Sequence, residues 1–192
     1  MDAPAAFYFD LASPAAYLAA ERALSVLPEP CRWQPILSRV LPSAEPWEGD
    51  RDERAARETI ERRARALGLQ PFLWPERFPF DSEAAMLAAT YAQRIGKCVP
   101  FALAAFRQAF AGGNALDVTD NVLIAGAACE MHPRAILQAL KTRGVREELD
   151  RASAEALALG VSDVPAVRIG QQVLVGERRL EEAAVLLAAA RD

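Results

Sequence analysis

Few side chains in this sequence are suited to catalysis or metal binding. The chain has one histidine, His132, and three cysteines, Cys31, Cys98 and Cys129, which lie far apart. No cysteine pair has the spacing of a redox motif or a zinc site, so all three are expected to be small, buried side chains. His132 precedes Pro133 and is expected to begin a helix. A zinc enzyme or a Ser-His-Asp hydrolase would lack ligands and bases here, so we expect no metal site.

Ser13 is the residue whose surroundings best fit a reactive site. It follows the short apolar run of residues 5–10 and stands directly before Pro14, where a capping side chain starts a helix. A hydroxyl at that position lies beside the positive end of the helix dipole, where backbone N–H groups favour an anion such as a thiolate. The alternative is that Ser13 only caps the helix, as serine does in most proteins.

The elements expected to position Ser13 form a β-α-β unit. Residues 5–10 are predicted to be a buried strand, because the run is apolar and too short for a helix. The helix after Ser13 is predicted to stop before Pro28, and residues 31–36 are predicted to be a second strand.

From about residue 42 the pattern is helical for about a hundred residues, and strands then return. Acid-before-base pairs at i,i+4 mark the first of these helices: Asp50/Arg54, Glu53/Arg57, Glu58/Arg62 and Glu61/Arg65. The predicted elements are helices at 50–67, 82–96, 100–110, 119–129, 133–142 and 145–159, hairpin strands at 164–169 and 172–175 around Gly170 and Gln171, and a helix at 179–190.

This order predicts an α/β fold of the thioredoxin-like type, β-α-β then β-β-α, interrupted by an all-helical insertion domain. We expect the thioredoxin-like domain to comprise residues 1–42 and 160–192, and the helical insertion domain to comprise residues 43–159.

Composition excludes several classes of partner. The net charge is −4, with 22 basic against 26 acidic residues, which argues against a protein that binds nucleic acid. No apolar run approaches the roughly 20 residues of a membrane span, and the first residues lack the pattern of a signal peptide. The sparse, odd cysteine count suits a reducing compartment. We therefore expect a cytoplasmic protein with no membrane or nucleic-acid partner.

Four stretches of the sequence resemble one family. They are residues 7–18 (FYFDLASPAAYL), 33–35 (WQP), 74–82 (WPERFPFDS) and 160–166 (GVSDVPA). In this order they are similar to the DsbA-like family of 2-hydroxychromene-2-carboxylate isomerases and kappa-class glutathione transferases. The resemblance implies that Ser13 contacts the sulfur of glutathione. It also implies that the Val164-Pro165 peptide, with a cis-proline, binds the cysteinyl backbone of that tripeptide.

Ser13 and Ala16 stand where redox members of this fold carry their two cysteines. No disulfide can form between a serine and an alanine, so thiol-disulfide exchange at this place is excluded. The resemblance therefore implies that the sulfur nucleophile belongs to a bound cofactor.

The sequence departs from the family pattern at both ends of the expected tripeptide site. After the last strand, Arg178 stands where the family has an acid that holds the γ-glutamyl end, so either Glu177 turns in or Arg178 pairs with the glutamyl carboxylate. Near the glycyl end the usual Asn and Lys are missing, and Arg51 or Arg54 would have to replace them. The alternative for these arginines is a solvated helix face.

Three aromatic side chains, Trp47, Trp74 and Phe78, are candidates for the wall of an acceptor pocket, although such residues are more often part of a core. The function implied is a glutathione-dependent cis-trans isomerase or kappa-type transferase. Its substrate would be a small hydrophobic or aromatic acid, with an arginine of the insertion on the carboxylate. The resemblance also implies a homodimer. The alternative is a DsbA-family protein without C-x-x-C redox activity that binds another thiol or a peptide.

Overall fold

The computed structural model describes residues 4–28, 30–42 and 50–189. In chain order its elements are β1 (Ala6–Phe9), α1 (Pro14–Val26), β2 (Arg32–Pro35), a first 3-10 turn (Ser38–Val40), α2 (Asp50–Ala66), α3 (Glu83–Arg94), α4 (Cys98–Phe110), α5 (Thr119–Ala127), α6 (Pro133–Leu140), α7 (Arg143–Ala158), β3 (Ala166–Ile169), β4 (Gln172–Val175), a second 3-10 turn (Glu177–Arg179) and α8 (Leu180–Ala189).

The strands form one mixed sheet in the order β2-β1-β3-β4. β1 runs parallel to β2 and antiparallel to β3, and β4 completes a hairpin with β3. Gly170 has a φ of 57° in the turn of that hairpin, which is the conformation that the predicted two-residue turn requires. With α2 to α7 lying between the two halves of the sheet in sequence, the predicted α/β fold with a helical insertion is confirmed.

β1 is apolar along its whole length because both faces of the sheet are covered. Phe7 and Phe9 are fully buried in the larger core, and the Phe7 ring lies 4.8 Å from that of Trp33 on β2. Ala6 and Tyr8 point to a smaller apolar cluster on the opposite face. A strand buried on both faces needs a continuous apolar run, which is why the sequence signal at residues 5–10 is strong.

The predicted helices are present, and their boundaries differ for local reasons. α4 begins at Cys98 rather than Pro100, because proline fits the first turn of a helix, where its missing N–H would have no intrahelical partner. His132 caps α6 as expected, since its Nδ1 accepts from the Arg134 backbone N–H at 3.2 Å. The last helix begins at Leu180, after the second 3-10 turn.

The charge pairs predicted along α2 are replaced in part by a tertiary contact. Glu53 and Arg57 form the expected pair. Glu61 instead accepts from the indole N–H of Trp74 at 2.8 Å. This bond joins α2 to the segment before α3, so α2 is more than a solvated helix.

The insertion shares its core with the thioredoxin-like part through a cluster of aromatic rings. Tyr17 of α1 lies 5.8 Å from Phe72, 6.2 Å from Phe106 and 5.7 Å from Phe110, measured between ring centroids. Burial above all, and then the charge of Glu21, raises the pKa of Tyr17 to about 12. α1 is therefore fixed between the sheet and the insertion.

A buried serine joins α7 to the chain that follows β2. The Ser153 hydroxyl donates to the Leu149 carbonyl at 2.8 Å and accepts from the Leu37 N–H at 2.9 Å. Ser153 and Leu37 are each only 2% exposed, so the Leu37 N–H has no access to water. The bond fixes the backbone immediately before the first 3-10 turn.

Replacing Ser153 with alanine is expected to lower the free energy of unfolding by about 1–3 kcal/mol, because the buried Leu37 N–H loses its acceptor. Urea denaturation measures the change. Ser25→Ala is the control: this exposed serine on α1 should change stability by less than about 0.5 kcal/mol. Equal effects of the two substitutions would contradict the assigned role of Ser153.

Candidate functional site

A cavity of about 670 Å³ opens where the start of α1, the first 3-10 turn, α2 and the segments before α3 and β3 meet. Its size lies within the range of small-molecule sites. It is lined by Asp10, Ala12, Ser13, Pro14, Ala15, Ser38, Arg39, Ala55, Ala56, Thr59, Ile60, Pro79, Phe80, Asp81, Ser82, Asp163 and Val164. Both halves of the sheet and the insertion therefore contribute to one site.

Ser13 lies in this cavity at the start of α1, as predicted. Its hydroxyl oxygen accepts from the Ala16 N–H at 3.1 Å, which makes Ser13 the N-cap of the helix. The same hydroxyl donates to the Val164 carbonyl at 3.4 Å, a long bond that is readily exchanged for a better acceptor. The capping role and the proposed reactive role are thus both compatible with the geometry.

The first turn of α1 leaves a backbone donor available beside Ser13. Pro14 has no N–H, and the Ala16 and Tyr17 N–H groups bind the hydroxyl and the carbonyl of Ser13. The Ala15 N–H has no acceptor among the described residues, and Ala15 lines the cavity. An anion near Ser13 would meet this N–H and the positive end of the helix dipole.

The Val164-Pro165 peptide bond is cis, as the resemblance implies, and it faces Ser13 across the cavity. The Pro165 carbonyl accepts from the Gly176 N–H at 2.7 Å. The Val164 N–H donates to the side chain of Asp163 at 2.7 Å. A ligand carbonyl that paired with the Val164 N–H would therefore have to displace the Asp163 carboxylate, whereas the Val164 carbonyl can accept a second hydrogen bond beside that of Ser13.

Asp10 and Ser38 are site residues that the sequence analysis missed. Asp10 follows β1, is 2% exposed, and lines the cavity. It accepts from the Ala12 N–H at 2.9 Å, from the Ser38 N–H at 2.8 Å and from the Ser38 hydroxyl at 2.9 Å. The sequence shows only that an acidic residue, Asp10, ends a buried apolar strand. Its partner Ser38 lies 28 positions away, and no local pattern marks it.

Glu177 and Arg178, the two expected cofactor-binding residues of the second 3-10 turn, do not line the cavity. Glu177 is 7% exposed and accepts from Arg22 at 2.6 Å and from two nitrogens of Arg63 at 3.0 Å each. The hydrogen bond to Glu177 raises the pKa of Arg63. Arg178 is exposed, with no ion-pair partner among the described residues. Only Gly176, through its bond to Pro165, ties this turn to the centre of the site.

The remaining candidates fall into three groups. Trp74 and Phe78 belong to the aromatic core, with ring centroids 4.9 Å apart and the Arg57 guanidinium over both rings. Arg54 is exposed on α2. Trp47 and the side chain of Arg51 lie outside the described residues.

Within residues 4–28, 30–42 and 50–189 the structure has no group of three or more His, Cys, Asp or Glu side chains placed to hold a metal ion. No helix of this part of the chain is both long and apolar enough to span a membrane. The three cysteines are free thiols, and none of them lines the cavity.

Comparison with known proteins matches this architecture. The profile of the DSBA-like thioredoxin domain matches residues 6–188. A search of curated proteins finds no match. The structure of a 2-hydroxychromene-2-carboxylate isomerase is similar with a TM-score of 0.85 and 19% identity, over 97% of this chain and 95% of that chain.

Two oxidoreductase structures are also similar. A probable DsbA oxidoreductase from Streptomyces coelicolor gives a TM-score of 0.77 at 16% identity, over 98% of this chain and 91% of that chain. The cytosolic disulfide reductase DsbM from Pseudomonas aeruginosa, solved with GSH, gives 0.70 at 17% identity, over 97% and 96%. At these identities the likeness shows the fold.

Cys98 and Cys129 are expected to be poor nucleophiles in the folded state. Burial raises the pKa of the Cys98 thiol to about 12, and burial also raises the pKa of Cys129. Because the thiolate is the reactive form, Cys98 should react with iodoacetamide about a thousandfold more slowly than an ordinary exposed thiol. Peptide mapping by mass spectrometry, with guanidinium-unfolded protein as the control, measures this; rapid native labelling of Cys98 would contradict its burial.

Proposed function

The chain belongs to the DsbA-like thioredoxin domain family, and from this premise we propose that it is a glutathione-dependent cis-trans isomerase or transferase. The observation that carries the proposal is Ser13 at the start of α1, facing the cis peptide Val164-Pro165 in a 670 Å³ cavity. The cavity contains the hydroxyl and the helix end that favour a thiolate, but no thiol of the protein itself.

Glutathione is the cofactor that we propose for this cavity. The residues present fit its sulfur, and they fit its γ-glutamyl and glycyl ends less well. When bound, it would supply a sulfur nucleophile that adds to a conjugated double bond, allows rotation, and is then eliminated. Ser13 would give up its 3.4 Å bond to Val164 and donate instead to the sulfur anion, a charge-assisted bond. The Ala15 N–H and the dipole of α1 add stabilisation at the same place.

The rest of the cavity has room and composition for an acceptor. Small apolar side chains of α2, Ala55, Ala56 and Ile60, form one wall, and Phe80 with Pro79 forms another. A small hydrophobic or aromatic acid is the substrate class we propose. We also propose a cytoplasmic location and a homodimer, which rest on the composition and the family resemblance.

Ser13→Ala is expected to raise the pKa of bound glutathione by about one to two units, because a hydrogen bond to the charged form is lost. The ultraviolet absorbance of the thiolate, titrated against pH in the presence of the protein, measures this pKa. Isothermal titration calorimetry at neutral pH measures the accompanying loss of affinity.

Two variants serve as controls for that experiment. Ser13→Thr keeps a hydroxyl at the helix start and should retain most of the effect, whereas Ser25→Ala, on the exposed face of the same helix, should behave like the wild type. If the wild-type protein binds no glutathione at physiological millimolar concentrations, the proposed function is wrong.

The second candidate is a DsbA-family protein without C-x-x-C redox activity that binds another thiol or a peptide. The hydrogen bonds of Glu177 favour it. Three donor nitrogens from Arg22 and Arg63 already satisfy this buried carboxylate. Turning it towards a γ-glutamyl ammonium group would break these bonds and leave Arg63 without its ion-pair partner, whereas Arg22 would keep Glu181. Arg178 would repel the same ammonium group.

Arg178→Asp separates the two candidates. If glutathione is the cofactor and only the acid is missing, the substitution should tighten glutathione about fivefold, as expected for exchanging a repulsive for an attractive exposed charge pair. Arg179→Asp, a neighbouring charge reversal on a residue paired with Glu182, should leave the affinity unchanged. Calorimetric titration of all three proteins decides; no gain with Arg178→Asp favours another thiol or a peptide.

A further inference from the structure

Arg39 is the only Lys or Arg among the described residues that line the cavity. It lies in the first 3-10 turn, one residue after Ser38, and its side chain is 51% exposed. From the sequence, the cation for the substrate carboxylate was expected to be an arginine of the insertion. The structure presents one instead on the segment that follows β2.

The backbone that carries Arg39 is fixed from both sides. The Leu37 N–H binds the buried hydroxyl of Ser153 at 2.9 Å, and the Ser38 N–H and hydroxyl bind the buried carboxylate of Asp10 at 2.8 and 2.9 Å. An ordinary surface arginine needs no such anchors. The backbone of Arg39 is therefore fixed beside the cavity, and the guanidinium can reach different positions only through changes of side-chain rotamer.

The Arg39 guanidinium is paired with acids at the start of α3. It donates to Glu83 at 2.7 Å and lies 3.7 Å from Asp81. Glu83 has a second partner, because Arg146 of α7 donates to its other oxygen. The bond from Arg146 above all, together with that from Arg39, holds the pKa of Glu83 below its ordinary value. Glu83 thus stays ionised and keeps one cation when Arg39 leaves.

We propose that Arg39 determines substrate specificity by binding the carboxylate of the acceptor, and that Glu83 holds the guanidinium in place while the cavity is empty. This inference rests on the proposed function, since the acceptor is the second ligand of the same cavity. A planar guanidinium binds a carboxylate through two parallel hydrogen bonds. When the substrate carboxylate replaces Glu83 as the partner of Arg39, Glu83 remains paired with Arg146. No charge is then left without a counter-ion.

Of the other acids around the cavity, Asp10 and Asp163 are engaged elsewhere, and Asp81 is a weaker partner of Arg39 than Glu83. Asp10 is buried and occupied by the donors of Ala12 and Ser38, and Asp163 accepts from Val164 near Ser13. Asp81 is 71% exposed, so water and salt screen its charge. An acceptor with an aromatic body and one carboxylate would place its apolar part against the α2 wall and its charge at Arg39.

The test compares two probes of nearly identical shape, trans-cinnamate and its uncharged amide, cinnamamide. The wild-type protein should bind cinnamate about tenfold more tightly than the amide, by calorimetry at low salt. The Arg39→Gln variant should bind the two probes with equal affinity, because its affinity for cinnamate falls and its affinity for cinnamamide does not change. Glu83→Gln should tighten cinnamate about threefold, because the resident counter-ion is gone.

Arg134→Gln is the matched control, since this exposed arginine on α6 lies outside the cavity and its loss changes the net charge equally. It should leave both affinities unchanged. The assignment of Arg39 is overturned if the wild-type protein binds neither probe at millimolar concentration, if it does not distinguish them, or if Arg134→Gln matches Arg39→Gln. Charge discrimination without any glutathione binding would retain Arg39 as the carboxylate site and reject the proposed cofactor.

Discussion

The buried carboxylate of Asp10 is the interaction on which the candidate site depends. It lies at the end of β1 and binds the Ala12 N–H on one side and the N–H and hydroxyl of Ser38 on the other. Ala12 immediately precedes Ser13, and Ser38 immediately precedes Arg39. One carboxylate therefore sets the position of the hydroxyl at the start of α1 relative to the cation at the mouth of the cavity. Asp10 is only 2% exposed, so its carboxylate depends on these donors, and a buried polar group that loses its partners costs about 1–3 kcal/mol.

The insertion is the second condition for the site, because it supplies the wall opposite Ser13. Tyr17, on the first turn after Ser13, packs against the rings of Phe72 and Phe110. Arg63 of α2 reaches the buried Glu177 beside α8 with two hydrogen bonds. Apolar packing thus holds the insertion against α1, and the buried ion pair ties the last turn of α2 to Glu177. The helical block is a structural component of the site and not a separate lobe beside it.

Features that depend on neighbouring residues could be predicted from the sequence. Features that depend on contacts between residues far apart in the sequence could not. The Ser13-Pro14 helix start, the central strand and the turn at Gly170 follow from patterns within a few residues, and all three are present. Arg39 could not be identified, because a single arginine after a strand has no periodic or motif signal. Its significance depends on anchors contributed by β1 and α7 and on acids at the start of α3, which only the folded chain brings together.

The charge pairs and the expected cofactor site show the same difference between local patterns, which can be predicted, and distant contacts, which cannot. Local spacing correctly predicted the pair between Glu53 and Arg57, but it could not show that Glu61 would bind Trp74 instead. It also gave no indication that Glu177 would be buried between two arginines from different helices. The helix start at Ser13 follows from local spacing, and the cis peptide at Pro165 follows from the family resemblance; both are present. The ion pairs around Glu177 were not predictable, because they join residues that are distant in the sequence.

Ser13 stands where redox members of this fold have a cysteine, so the positive end of the α1 dipole has a different effect here. A protein thiolate is held there covalently, so stabilising it changes only its reactivity. A thiol from solution must also be bound, and the interactions that lower its pKa favour the bound thiolate by a factor of about ten per unit. Under the proposed function, activation and affinity would therefore come from the same contacts, those of Ser13 and the Ala15 N–H. Because such donors favour any small anion, selection among thiols would have to come from the other side chains that line the cavity.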